Sequence, residues 1–168
     1  EAIAFNRTFG LGGMAALLIV ILFITGILLR FYYEPFPQKA YNSILHLQNN
    51  VLFGQLIRNI HHWCGVFLVI ITFLHLLRTF FTGAFQSSRK VNWLIGLALF
   101  VLVIASNFTG YLLPWDQLAY WAVTVGTSLL NYFPLIGPSL RSVLIGGDEV
   151  SSKTLLIFFN FHTAVFPI

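Results

Sequence analysis

Long uncharged apolar runs alternate along this chain with short stretches that collect its charges, prolines and loop residues. From Thr8 to Leu29, between Arg7 and Arg30, 22 residues carry no charge, enough helix to cross about 30 Å of hydrocarbon. A second run, bounded by Arg58 and Arg78, holds 19 uncharged residues, three of them histidines. A third reaches from Val91 to about Leu113, where Pro114 stops it, because proline lacks the next helical donor. A fourth starts near Ser151 or Ser152 and is still apolar at Ile168. Phe31 to Asn50 holds Tyr32, Tyr33, Glu34, Pro35 and Pro37 and reads as an interfacial loop opening on an aromatic belt. The turn 82–92 (TGAFQSSRKVN) is polar and carries Arg89 and Lys90. Leu118 to Leu140 lacks charge but is broken by Gly126, Asn131, Pro134, Gly137 and Pro138. It reads as two surface helices, near Leu118–Leu130 and Pro138–Leu144. The expected fold is all-α: a four-transmembrane-helix bundle with short surface helices between the third and fourth spans.

Composition agrees with that pattern. Of 168 residues, 58% are hydrophobic and 8% charged, against about 25% charged in a soluble domain. The nine basic residues are scattered and the net charge is +4, which gives nucleic-acid binding no support. Cys64 is the single cysteine, so an intrachain disulfide, a zinc cluster and an iron–sulfur site are excluded; it reads as a small buried hydrophobe. The chain starts at Glu1 without Met and stops inside an apolar run. We therefore read residues 1–168 as a single domain from something longer, with its fourth helix cut short. Under alternate crossing, Arg7, Arg78, Arg89 and Lys90 share one side. Arg30, Glu34, Lys39, Asp116, Arg141, Asp148, Glu149 and Lys153 share the other. The positive-inside rule then puts the N-terminus and the second–third loop in the cytoplasm.

Two constellations carry candidate chemistry. His61 and His75 lie fourteen residues apart, and Gly12/Gly26 and Gly96/Gly110 repeat that interval in the flanking runs. Fourteen helical residues rise about 21 Å and turn about 1400°, which leaves both ends within about 40° of one face. One helix thus offers two imidazoles at two depths, and its neighbours offer a side-chain-free notch at each depth. A single histidine would be explained by a hydrogen bond to a neighbouring helix, and a single glycine by close helix packing. The shared interval shifts the reading. Ionisable groups within a bilayer are functional by default, and a mid-helix glycine costs about 1 kcal/mol relative to alanine. Together the residues outline a slot for two stacked planar cofactors, with haem the candidate.

Geometry sorts the remaining histidines. His62, thirteen residues from His75, projects about 140° away from it, and His46 lies in the polar loop, so neither is assigned as a ligand. His162 stands about three turns into the fourth segment, at a depth comparable to His61 if both helices start on the same side. Neutral imidazole suits iron, so a His61–haem–His162 sandwich is sterically sensible. The partner of His75 is expected about one further such interval beyond His162. Arg58 and Arg78 each stand three residues outside a histidine. Snorkelling to the interface explains both, and pairing with haem propionates is compatible with it.

With these residues in view, the chain resembles the N-terminal, haem-binding half of cytochrome b, the membrane subunit of quinol–cytochrome c oxidoreductases. The carriers are GGMAALLIVILFITG (12–26), FYYEP (31–35), LIRNIHHW (56–63), LHLLRTFFTGAF (74–85), TGYLLPWDQLAYWAV (109–123), PLIGPSL (134–140) and TLLIFFNFHTAVFPI (154–168). The PWDQ and YWAV details look like the cytochrome b6 type of b6f complexes. The resemblance implies transmembrane electron transfer through two b-type haems within a quinol-oxidising complex (cytochrome c or plastocyanin being the downstream acceptor). His61 and His162 match the ligands of one haem, with Gly26 and Gly110 as its notches. His75 matches one ligand of the other, with Gly12 and Gly96. Arg58 and Arg78 match propionate partners, and Tyr111 to Val125, including Trp121, Ala122 and Val123, matches part of the quinol-oxidation pocket wall.

The implied partners are a Rieske iron–sulfur protein, a c-type cytochrome or equivalent acceptor, a C-terminal cytochrome b half or subunit IV-like chain, the lipid bilayer, and a second copy in a homodimeric complex. The implied setting is a respiratory or photosynthetic chain in a bacterial plasma membrane or thylakoid-type membrane. The b6 type carries a cysteine just ahead of the first glycine pair that tethers an extra haem. Gly10 stands there, so a covalently bound third haem is not expected. Two rivals differ in what they predict. A cytochrome b anchoring a dehydrogenase or hydrogenase does not require the paired glycines or the LPWDQ segment. A non-redox membrane scaffold or channel would show no b-type haem bands.

Overall fold

The computed structural model describes residues 10–86 and 89–167. Arg7 and Thr8, used above for topology and for the start of the first span, lie outside the described residues, as do Ser87, Ser88 and Ile168. Among the described residues seven α-helices follow in order: α1 Leu11–Arg30, α2 Ala40–Asn50, α3 Gly54–Phe81, α4 Lys90–Leu112, α5 Gln117–Ser128, α6 Gly137–Ile145 and α7 Ser152–Asn160. A 3₁₀ turn, Leu129–Tyr132, extends α5, and a π turn, Phe161–Val165, extends α7. No strand occurs among the described residues.

Helices α1, α3 and α4 have 20, 28 and 23 residues and are long and apolar enough to cross a membrane. Helix α3 overruns the window set by its arginines. Arg58 and Arg78 lie inside its ends, because a long side chain can reach the interface while its backbone stays helical. Helices α1 and α3 run antiparallel, with Gly12 opposite His75 and Gly26 opposite His61. Helices α3 and α4 are also antiparallel: Phe73 stacks on Phe100 at 6.0 Å, and Phe80 meets Trp93 at 6.4 Å. Helix α7 returns beside α4 through the Phe108–Phe158 pair.

The side-chain core lies at one end of the bundle. Leu112, Ala119, Val123 and Phe158 form a buried cluster where α5 caps α4 and α7. Along the spans, by contrast, most large apolar side chains are exposed, as expected where lipid replaces water. The first turn of α5 is fixed by Asp116, whose carboxylate accepts from the Ala119 N–H at 2.8 Å, satisfying one of the orphan donors of a helix start.

The segment expected to be a loop, Phe31 to Asn50, needs a correction, because its second half is α2. Ala40, Ser43 and Leu47 are buried on one face. That spacing is helical, but the surrounding Tyr, Asn and Gln residues obscure it. What holds α2 is its dock on α3. Gly54 comes so close to the Leu47 carbonyl that a Cβ there would overlap it, so only glycine fits this elbow.

The end of α1 is tied to the bundle by Tyr33. Its hydroxyl donates to the Leu113 carbonyl at 2.6 Å, and its ring stacks on Phe159 at 5.5 Å. The Arg30 guanidinium sits over the same Phe159 ring, 5.7 Å from its centre. Burial pushes the Tyr33 hydroxyl well above the usual phenol range. It therefore stays a donor, and stability falls only as pH rises past the unfolded phenol value of about 10. Tyr33→Phe leaves the Leu113 carbonyl without this donor and is expected to cost about 1 kcal/mol. The check is the midpoint of thermal inactivation of the membrane complex, which should fall.

Candidate functional site

The antiparallel pairing of α1 with α3 places one glycine against each histidine of α3. A Cβ added to Gly26 would lie 3.3 Å from His61 Cε1, and one added to Gly12 would lie 3.5 Å from His75 Cε1. Helix α4 repeats the device against α7, where a Cβ on Gly110 would come within 2.5 Å of His162 Cε1. Gly96 differs: its nearest neighbour is Leu76 Cδ2 at 3.9 Å, and it borders a cavity shared with His75 and Arg78.

His61 and His162 come together. Their ring centres are 6.1 Å apart, with the planes at 77°. A metal–imidazole bond is about 2.0–2.1 Å. With roughly 1.1 Å more from each nitrogen to its ring centre, two imidazoles on opposite sides of one ion have centres about 6 Å apart. The hydrogen bonds fix which nitrogen faces the gap. Thr25 Oγ1 donates to the Ile21 carbonyl at 2.7 Å, so its one proton is used and it accepts from His61 Nδ1 at 2.9 Å. His162 Nδ1 lies 2.9 Å from the Ser106 carbonyl, which only accepts. Both rings therefore carry their proton on Nδ1 and keep the Nε2 lone pair for a ligand, as metal-bound histidines do. No group of three or more His, Cys, Asp or Glu that could hold a metal exists among the described residues. An ion held here takes its other ligands from elsewhere, and a porphyrin supplies four nitrogens in one plane. The residues fit haem.

The second level is built from His75 and what surrounds it. His75 Nδ1 and Arg78 Nε are both buried without a hydrogen-bond partner, and a buried orphan donor costs about 1–3 kcal/mol. Both border a cavity of about 220 Å³ that Thr79, Arg89, Trp93 and Gly96 also line. A guanidinium edge and an indole facing one cavity suit an anionic group on a flat ligand. Arg58 is half-buried, one turn ahead of His61. The ion pair among the described residues joins Lys39 to Glu34 at 2.6 Å and leaves Arg58 and Arg78 uninvolved.

The four residues expected at the quinol wall divide by exposure. Tyr111 and Trp121 are 51% and 58% exposed, whereas Val123 is fully buried and Ala122 packs against the same cluster. Of the four, Tyr111 and Trp121 are the ones with surface to offer a ligand, while Val123 is packed inside. His62 is exposed and meets Trp63 edge-on at 5.6 Å, while His46 is exposed on α2.

Sequence reasoning missed Thr25 and Thr109. Both are buried, and each directly precedes a notch glycine. The doubled Thr-Gly pair was a visible signal. The Ser106 carbonyl is backbone and leaves none. Nor was it visible that His162 stands in a π turn, closed by Phe166 N–H on the Phe161 carbonyl at 2.9 Å, a winding frequent at functional sites.

Membrane helices that hold two Nδ1-protonated imidazoles across an ion-sized gap, flanked by glycine notches, define a haem-binding helical bundle. The chain belongs to the cytochrome b/b6 family: the family model described as cytochrome b/b6/petB matches residues 2–168, and b-type haem binding goes with that membership. It is 42% identical over 162 residues to cytochrome b6 of Heliomicrobium gestii, covering 96% of this chain and 76% of that one. It is 41% identical over 157 residues to the menaquinol:cytochrome c reductase cytochrome b subunit of Geobacillus thermodenitrificans, covering 93% and 70%. A solved structure described as a hyperthermophilic respiratory Complex III superposes with a TM-score of 0.87 at 28% identity, covering 99% of this chain. This chain spans 45% of that solved chain and about three quarters of the first relative.

Proposed function

We propose that this chain is the haem-carrying electron-transfer subunit of a quinol-oxidising complex of the bc or b6f type. The observation that carries the reading is the facing pair His61 and His162, 6.1 Å apart, each ring with its Nδ1 engaged and its Nε2 free. In this reading His61 and His162 would hold one haem, between Gly26 and Gly110. His75 would help to hold a second, beside Gly12 and Gly96. When bound, b haems supply reversible one-electron storage at two depths of the membrane. The chain's own part is to place the imidazoles, fix their tautomers, and hold the site among apolar side chains. Arg58 and Arg78 neutralise propionates on the two haems. Tyr111 and Trp121 form part of the wall against which quinol is oxidised. Residues 1–168 act as one haem-binding domain.

The partners of this reading are a Rieske iron–sulfur protein, a c-type cytochrome or equivalent acceptor, and the C-terminal part of a cytochrome b, carried in a homodimeric complex. Its relatives' names, cytochrome b6 and menaquinol:cytochrome c reductase, support this over an anchor for a dehydrogenase or a redox-silent scaffold. The end of the bundle bearing Arg78, Arg89 and Lys90 faces the cytoplasm, because the opposite end mixes charges of both signs. The test is haem quantification together with a quinol-reduced minus oxidised spectrum of the intact complex. Two b haems per copy, both reducible by quinol, are expected. A single haem, or bands that quinol leaves oxidised, would overturn the proposal.

A further inference from the structure

We propose that Thr25 and Thr109 are positioning residues that lock the His61 and His162 imidazoles by their Nδ1 edges and so tune this one haem site and not the other. The proposal rests on the reading of His61 and His162 as axial ligands and adds a means of control to it. Thr25 is 8% exposed and Thr109 3% exposed. The Thr25 hydroxyl sits against the Ile21 and Leu22 carbonyls at 2.7 and 3.2 Å. Thr109 sits against the Ala105 and Ser106 carbonyls at 2.9 and 3.0 Å. With each proton directed at its own helix, each oxygen offers only a lone pair outward. That lone pair meets His61 Nδ1 at 2.9 Å on one side and His162 Nδ1 at 3.4 Å on the other. A hydroxyl that has already donated is a stronger acceptor, and an acceptor on the rear N–H of a ligating imidazole raises its basicity.

The duplication argues that the arrangement is built. Each threonine directly precedes its notch glycine, Thr25 before Gly26 and Thr109 before Gly110. On successive residues of one turn, the hydroxyl grips the ring while the glycine leaves it space. At the other level the same positions hold Leu11 before Gly12 and Ile95 before Gly96, and His75 Nδ1 is buried without a partner. The two sites therefore differ in what stands behind their imidazoles. The two threonines differ as well. Thr25 stands 2.9 Å from its imidazole Nδ1, whereas Thr109 stands 3.4 Å from His162 Nδ1, which has the Ser106 carbonyl nearer at 2.9 Å.

The experiment is a potentiometric titration of the b haems in the intact complex, comparing wild type with Thr25→Val, Thr25→Ala, Thr25→Ser and Thr109→Val. Removing the acceptor leaves the imidazole a weaker electron donor, which favours reduced iron. Thr25→Val and Thr25→Ala should raise the midpoint of one haem component and leave the other in place. Thr25→Ser should restore the wild-type midpoint, and Thr109→Val should shift the same component less. A purely packing role would lower haem content with unshifted midpoints and no recovery in serine, and that result overturns the proposal. So does a larger shift from Thr109→Val than from Thr25→Val. If His61→Ala keeps its haem, the ligand reading itself fails; if His61→Ala loses it while every threonine variant titrates as wild type, only the threonine proposal fails.

Discussion

His61→Ala removes one b haem and leaves the other, and His162→Ala removes the same one. This is the largest effect expected, because each variant deletes half of the facing imidazole pair whose rings stand 6.1 Å apart. The chain offers no substitute. His62 is exposed and turned toward Trp63, and His46 lies on the separate helix α2. Pyridine haemochrome analysis of the purified complex should show about half the wild-type haem in either variant, and the double variant should lose no more than each single one, since residues acting as a unit are non-additive. His75→Ala should remove the other haem. Loss of different haems from His61→Ala and His162→Ala would break the pairing.

The second large effect is graded across the glycines. Gly110→Ala puts a Cβ 2.5 Å from His162 Cε1, and the atoms in the way all belong to the imidazole. The ring, and not the backbone, must give way. It has to retreat by roughly 1 Å to reach ordinary contact, which exceeds the about 0.5 Å tolerance of a working constellation. The protein should fold and assemble yet bind this haem about 10–100-fold more weakly, the equivalent of about 1–3 kcal/mol of overpacking. Gly26→Ala meets His61 Cε1 at 3.3 Å and needs only a few tenths of an ångström, while Gly12→Ala at 3.5 Å is in ordinary contact. Gly13 has nothing within 4 Å of an added Cβ, so Gly13→Ala keeps both haems and gains about 1 kcal/mol of helix propensity. Haem retention on dilution or in mild denaturant ranks the four variants. Equal loss from Gly13→Ala and Gly110→Ala would mean that glycine serves helix packing here and not the cofactor.

These two predictions show what the sequence could and could not disclose. The spans were legible because lipid demands long uncharged runs: α4, Lys90–Leu112, falls within a residue of the run stopped by Pro114. The juxtaposition of Gly26 with His61 followed from one interval shared by two helices. The surface helices α5 and α6 were legible from their breakers, among them Pro134 and Pro138; the Asp116 cap of α5 appeared only in the structure. Helix α2 was not, because AYNSILHLQNN has little apolar content of its own and depends on the elbow at Gly54. The threonine contacts were hidden for a similar reason. A hydroxyl behind an imidazole is set by helix rotation to within a fraction of a turn, and residue spacing does not fix that. Of the residues proposed for a quinol wall, buried Val123 was indistinguishable in sequence from exposed Trp121.

The fold also explains why so little side-chain core suffices. The buried cluster of Leu112, Ala119, Val123 and Phe158 sits at one end, under α5. At the level of His61 and His162 the helices present glycine, imidazole and threonine in place of interlocking large residues. A bundle built this way draws stability from the ligand it encloses, so haem loss and thermal inactivation should move together in the histidine and glycine variants.

The deciding measurement is an experimental map of the complex isolated from its native membrane, at a resolution that shows side-chain orientation. We expect one planar density between α1, α3, α4 and α7, its metal bonded to Nε2 of His61 and Nε2 of His162, with Thr25 and the Ser106 carbonyl behind the two Nδ1 atoms. A map in which these rings approach each other with no metal between them, or bind it through Nδ1, would contradict the assignment.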